Sequence, residues 1–182
     1  KIMLIVLLMR RERLPGTTTM LWAVSALVHC VTFSYTFKMT KYKLIDHTAD
    51  IGCEIYGKTK KELFANSVVA LFELMLGRKT ISRTNENPAL ETKSLTVEGA
   101  DLEDLFINFL REVLYLFNGE GWVVVDCHPL QVTNKHIIAQ LTGEPYISTK
   151  HQVKMEIKAV TYHGLSVKKT KTGWVGRVIY DI

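Results

Sequence analysis

The chain has 182 residues, 47% of them hydrophobic and 23% charged, which is apolar material for one domain of ordinary size. The formal net charge of +5 is unevenly placed: Lys1, Arg10, Arg11, Arg13 and Lys38 against Glu12 give residues 1–39 a net +4, which leaves 18 basic and 17 acidic groups in residues 40–182. That near balance excludes a global basic field that would steer the domain to RNA or to a membrane, while a local basic patch stays open.

Residues 1–39 differ from the rest. An apolar run over 2–9 is followed by Arg10-Arg11-Glu12-Arg13 and a turn at Pro15-Gly16, and residues 20–37 are nearly uncharged. Basic residues before an apolar stretch resemble a signal or anchor, and the second run is near the lower limit of about 18 residues for a spanning helix. A β pattern begins directly after Met39-Thr40. The expectation is an extraneous or signal-like extension over 1–39 and one domain over 40–182 with no membrane association. Cys30, Cys53 and Cys127 are widely spaced and form no C-x-x-C. Neither zinc nor a disulfide framework is indicated, and the usage fits a reducing, cytoplasmic setting.

Residues 42–45 lean apolar, and Ile51, Cys53 and Ile55 alternate with Gly52, Glu54 and Tyr56 as in a half-buried strand. Thr59-Lys60-Lys61-Glu62 is a capping box, after which apolar residues recur at helical spacing from Leu63 to Met75 until Gly77. Residues 78–92 read as a loop or weak edge, and 94–98 as a strand. Asp101, Glu103 and Asp104 place acids at a second helix start, whose stripe runs from Leu102 to Phe117. Beyond Gly121 the pattern is β: residues 122–125 and 137–141 as an antiparallel pair, then 155–160, 165–167 and 175–182. On one face of the 155–160 strand lie Lys154, Glu156 and Lys158. No internal repeat is evident. Two helices among about eight strands give an α+β fold, mostly antiparallel, with two amphipathic helices packed on one face of the sheet.

Two places carry concentrated polar chemistry. Asp46-His47-Thr48-Ala49-Asp50-Ile51-Gly52 puts two carboxylates and an imidazole between two strands, and Asp181 sits in an apolar final strand beside Ile182. A lone carboxylate there is costly to bury unless paired or metal-bound. Oxygen-only donors suit Ca²⁺, Mg²⁺ or Mn²⁺. The plainer reading is a capped turn and an exposed terminal acid. Lys150, His151, Lys158 and His163 could contact phosphate or a partner, or could simply be solvated. No Walker A, G-x-G-x-x-G, G-x-S-x-G or H-E-x-x-H occurs, and His47 has no nucleophile at a recognisable spacing. Cys53 falls on the apolar phase of its strand, so packing explains it better than catalysis.

The Asp46–Gly52 motif resembles the signature of the archease family. The likeness extends through Gly57-Lys58-Thr59, Val97-Glu98-Gly99, Gly143-Glu144-Pro145 with Lys150-His151, the run from Glu156 to His163, and terminal Asp181-Ile182. It covers essentially all of residues 41–182. The resemblance implies a non-catalytic activator of an RtcB-type RNA ligase, the enzyme of tRNA splicing. Such a protein promotes guanylylation of the ligase from GTP and its multiple turnover, and acts on tRNA through the ligase. It also implies a divalent-cation site on Asp50, Asp181 and Ile182. Asp46, His47, Lys150, His151, Lys158 and His163 remain as contacts to partner or phosphate. A cytoplasmic location follows, or nucleus and cytoplasm in a eukaryote. The competing reading is a stand-alone metal-dependent nucleotide or RNA hydrolase with His47 as base, and a third is a general chaperone or RNA-binding adaptor.

Overall fold

The computed structural model describes residues 40–46, 50–77 and 90–182. Strand β1 (Tyr42–Asp46) pairs antiparallel with β2 (Ile51–Gly57), whose alternation sends Cys53 and Ile55 into the core. At Thr59 the chain turns into helix α1 (Lys60–Leu76): the Thr59 hydroxyl accepts the Glu62 amide at 3.1 Å, and the Glu62 carboxylate accepts the Lys58 amide at 2.9 Å. The reciprocal box expected from the sequence therefore forms, with its second bond one residue upstream of the cap. Strand β3 (Glu91–Glu98) leads into helix α2 (Leu102–Asn118), capped by Asp101, which accepts from the Asp104 amide at 2.9 Å. Strands β4 (Trp122–Val132), β5 (His136–Pro145), β6 (Ala159–Thr170) and β7 (Gly173–Asp181) complete the domain.

The α+β class, the antiparallel pairing and the two helices are as the sequence implies. The seven strands, however, form two sheets, ordered β1-β2-β7-β6 and β3-β5-β4. Helix α1 packs on β2 and on β4, and α2 on β6, β4 and β3. The helices are thus shared between two sheets instead of lying on one face of one. Phe64 of α1 meets Phe106 and Phe109 of α2 edge to face, with centroids 5.2 and 5.3 Å apart, at the centre of the core.

The sequence carries an internal repeat that its periodicity conceals. Residues 57–77 and 99–119 share Gly57/Gly99, Leu63/Leu105, Phe64/Phe106, Asn66/Asn108, Leu74/Leu116 and Gly77/Gly119. The local bonding repeats too. Asn66 donates to the Tyr56 carbonyl at 2.7 Å, and Asn108 to the Glu98 carbonyl at 3.2 Å. A Cβ on Gly57 would stand 2.3 Å from the Leu63 nitrogen, and one on Gly99 2.3 Å from the Leu105 nitrogen. Only glycine lets each strand end approach the helix it feeds so closely. The paired hairpins match as well, β7–β6 beside β2 and β5–β4 beside β3.

The strand expected over 155–160 begins only at Ala159. The amides of Lys154 and Met155 both bond to the Met75 carbonyl, at 2.7 and 3.3 Å. Lys154 and Met155 satisfy their amides on the end of α1 and only Lys158 reaches the sheet, through the Asp181 carbonyl, so Lys154, Glu156 and Lys158 do not share a strand face.

Candidate functional site

The register of β2 against β7 pairs Ile51 with Tyr180, Cys53 with Val178 and Ile55 with Gly176. Cys53, Ile55, Val178 and Tyr180 are all buried, and a slip of one residue would turn them outward, so the core fixes this register. The pairing ends at Ile51–Tyr180, and Asp50 and Asp181 are the next residues beyond that last pair on the two chains. On the far side of β7, Asp181 pairs with Ala159, and on the far side of β2, Ile51 pairs with Asp46. Four adjacent strands therefore bring Asp46, Asp50, Asp181 and Lys158 to one end of one sheet, from positions up to 135 apart in sequence. Lys158 is tied in twice: its amide donates to the Asp181 carbonyl at 2.8 Å and its ammonium to the Ile182 oxygen at 3.1 Å. Asp181 and Ile182 are exposed and Asp50 is partly so. His47 lies outside the described residues.

Among the described residues no three His, Cys, Asp or Glu side chains converge as a metal cage. The donors expected from the sequence are the Asp50 and Asp181 carboxylates and the Ile182 oxygen, with Asp46 at the same sheet end. This all-oxygen set suits a hard cation that keeps several waters, and it does not suit zinc.

Lys150 and His151 stand elsewhere. Glu144, the penultimate residue of β5, is buried, and its carboxylate takes both Lys150 (2.7 and 2.6 Å) and His151 Nε2 (2.9 Å). His151 has no exposed surface, stacks on Tyr146 and accepts the Ile147 amide on Nδ1 at 2.9 Å. Its ring proton is accordingly on Nε2, directed at Glu144. The imidazole has no face left for a partner, so it pins residues 146–158 in place instead of contacting a ligand. Glu144, which the sequence marks only within the Gly143-Glu144-Pro145 likeness and not as a site residue, organises this group. A carboxylate between Gly143 and Pro145 near the end of a strand was the available signal. His163 is exposed on β6, where pairing jumps from Thr161–Ile179 to Ser166–Arg177.

A further cluster had no signal in the sequence. The Tyr162 hydroxyl donates to Asp104, and the Arg111 guanidinium lies 4.8 Å over the Tyr162 ring while its Nε bonds the Val160 carbonyl at 3.1 Å. The Tyr162 hydroxyl and then the Ala100 amide hold the Asp104 carboxyl below its ordinary range. Burial pushes the Cys53 and Cys127 thiols up to about 12, with Glu54 and Asp126 adding to it, so neither is a nucleophile at neutral pH.

The pattern of the Archease protein family (MTH1598/TM1083) matches residues 42–182. The chain belongs to the archease family. Protein archease of Methanosarcina barkeri is 35% identical over 146 residues, covering 78% of this chain and 96% of the relative. That of Pyrococcus furiosus is 35% identical over 148 residues, 79% of this chain and all of the relative. The solution structure of Methanobacterium thermoautotrophicum protein 1598 superposes with a TM-score of 0.60 at 26% identity, over 78% of this chain and 99% of that one. The archease match includes every strand and helix described above.

Proposed function

We propose that this archease-family chain is a non-catalytic activator of an RtcB-type RNA ligase in tRNA splicing, acting in the cytoplasm through residues 40–182. The observation that supports the reading is the register that pairs Ile51 with Tyr180, next to Asp50 on one chain and Asp181 on the other, with Lys158 bonded to Asp181 and Ile182. Asp50, Asp181 and the Ile182 oxygen are the groups that would hold Ca²⁺, Mg²⁺ or Mn²⁺. Such a cation supplies positive charge against phosphate oxygens when bound. The chain's own residues do the rest. The carboxylates, exposed at a sheet end, can reach into a partner's cleft. Lys158 offsets their charge and offers an ammonium to phosphate or to a partner carboxylate. Glu144, Lys150 and His151 anchor the segment that delivers Lys158. Among the described residues no helix is long and apolar enough to cross a membrane.

The test is a multiple-turnover ligation assay with a purified RtcB-type ligase, GTP and metal. The expected result is single-turnover behaviour from the ligase alone and sustained turnover with this protein. Equal turnover without it, or nucleotide hydrolysis by this protein alone, refutes the proposal. Calcium titration by calorimetry is a readout independent of ligase: Asp181→Asn should weaken binding at least tenfold.

A further inference from the structure

The opposite end of the same sheet carries charge that the fold does not need. Lys58, Lys60 and Lys61 surround the start of α1, the positive end of a helix dipole, where cations are unfavourable. The second copy of this cap has Ala100, Leu102 and Glu103 at the corresponding positions, so the geometry forms without lysines. Against this start folds the β6–β7 turn with Lys168, Lys169 and Lys171: a Cβ on Gly173 would stand 2.3 Å from the Gly57 oxygen and 2.9 Å from Lys58 Cα. Trp174 lies between the two groups. Its cross-strand partner is Lys169, and the Lys60 ammonium is 5.1 Å from its ring. Lys60 also donates to Asn134 and Lys61 to the Leu130 carbonyl at 2.6 Å, which brings in the β4–β5 turn with exposed Lys135.

Among the described residues none of these lysines is in a salt bridge. The nearby carboxylates have other work. Glu62 accepts the Lys58 amide, and Glu103 accepts the Val167 amide from the α2 side of β6. In a domain of net +1 this is a strong local imbalance, drawn from three separate segments.

We propose that this end of the domain binds RNA through its phosphate backbone. Lysines on three segments around a tryptophan suit a run of successive phosphates with a base against the ring, more than one isolated anion. Exposed Thr170, Thr172 and Asn134 add neutral hydrogen-bonding groups along the path. A membrane surface fits less well, since Leu130 is the one large exposed apolar side chain bordering the patch among the described residues. The site is separated from Asp50 by the length of β2, about 20 Å, so it can be tested apart from the proposed ligase activation.

The experiment is fluorescence anisotropy of a labelled 20-nucleotide uridine-rich RNA with the full chain from 50 to 200 mM salt. Five phosphate contacts predict about a 100-fold loss of affinity over that range. The variant K58Q/K61Q/K168Q/K169Q/K171Q, checked for an unchanged thermal midpoint, should bind at least tenfold more weakly at 50 mM salt and lose most of the salt slope. No RNA binding at 50 mM, or equal binding by the variant, overturns the proposal. So does lysine-dependent capture of phosphatidylserine vesicles or of polyglutamate with RNA binding unaffected by the substitutions.

Discussion

Glu144→Gln is the substitution whose cost follows most directly from the geometry. The Glu144 carboxylate is buried and takes three contacts, two from Lys150 and one from His151. Glutamine keeps the volume but offers one acceptor oxygen and an NH₂ group. His151 Nε2 and Lys150 both bond Oε1, so an amide oxygen there keeps those two contacts, while the NH₂ in the place of Oε2 confronts the Lys150 ammonium. A lost hydrogen bond to a charged group costs about 1.5–3 kcal/mol, and an unsatisfied buried donor costs a similar amount. Lys150 is about one-third exposed (31%), so water recovers part of its share and the sum is about 3 kcal/mol. With an unfolding entropy near 2.1 cal/mol/K per residue over about 140 residues, the midpoint should fall by about 10 °C. The assay is thermal unfolding by circular dichroism, with hydrogen exchange at the Lys154 and Met155 amides, which depend on the same segment reaching Met75. A midpoint lowered by less than about 2 °C with both amides still protected would refute the anchoring role.

Stability should fall between pH 9 and 12. Cys53 and Cys127 keep their protons up to about 12 when folded but lose them near 9 when unfolded, so the unfolded state binds fewer protons in that window and the slope is negative. Each thiol contributes about 1.4 kcal/mol per pH unit; chemical denaturation at pH 8 and 10.5 measures it, and both thiols should resist Ellman's reagent until unfolding. Gly99→Ala should cost about 1–3 kcal/mol by forcing α2 off its strand, whereas Gly121→Asn, at φ 62 with nothing within 4 Å of the added Cβ, should be nearly neutral; paired urea melts compare them.

The helices were legible because Thr59 and Asp101 mark their starts and the apolar spacing runs unbroken to Gly77 and Gly119. The division into two sheets was not, because alternation says which strands exist but not which neighbours they choose. Residues 155–158 alternate like a strand, yet the partner of the Met155 amide, the Met75 carbonyl, comes from 80 positions away. The repeat is hidden in the sequence because its shared residues are spread among substituted ones and its stripes differ: α1 is buried on most sides while α2 shows Arg111, Glu112 and Tyr115 to solvent. Asp50 and Asp181 could be singled out as carboxylates at strand ends. Their juxtaposition required the β2–β7 pairing, and the burial of His151 required Glu144, neither of which local pattern can reveal.

The proposed function puts the acting groups at the Asp50–Asp181 end of the sheet. The most direct measurement is transfer of labelled guanylate from GTP to an RtcB-type ligase with wild-type protein, Asp50→Asn and Asp181→Asn, all matched for thermal midpoint. Strong stimulation by the wild type and a loss of at least tenfold in both variants are expected. Full stimulation by either variant would contradict the proposed function.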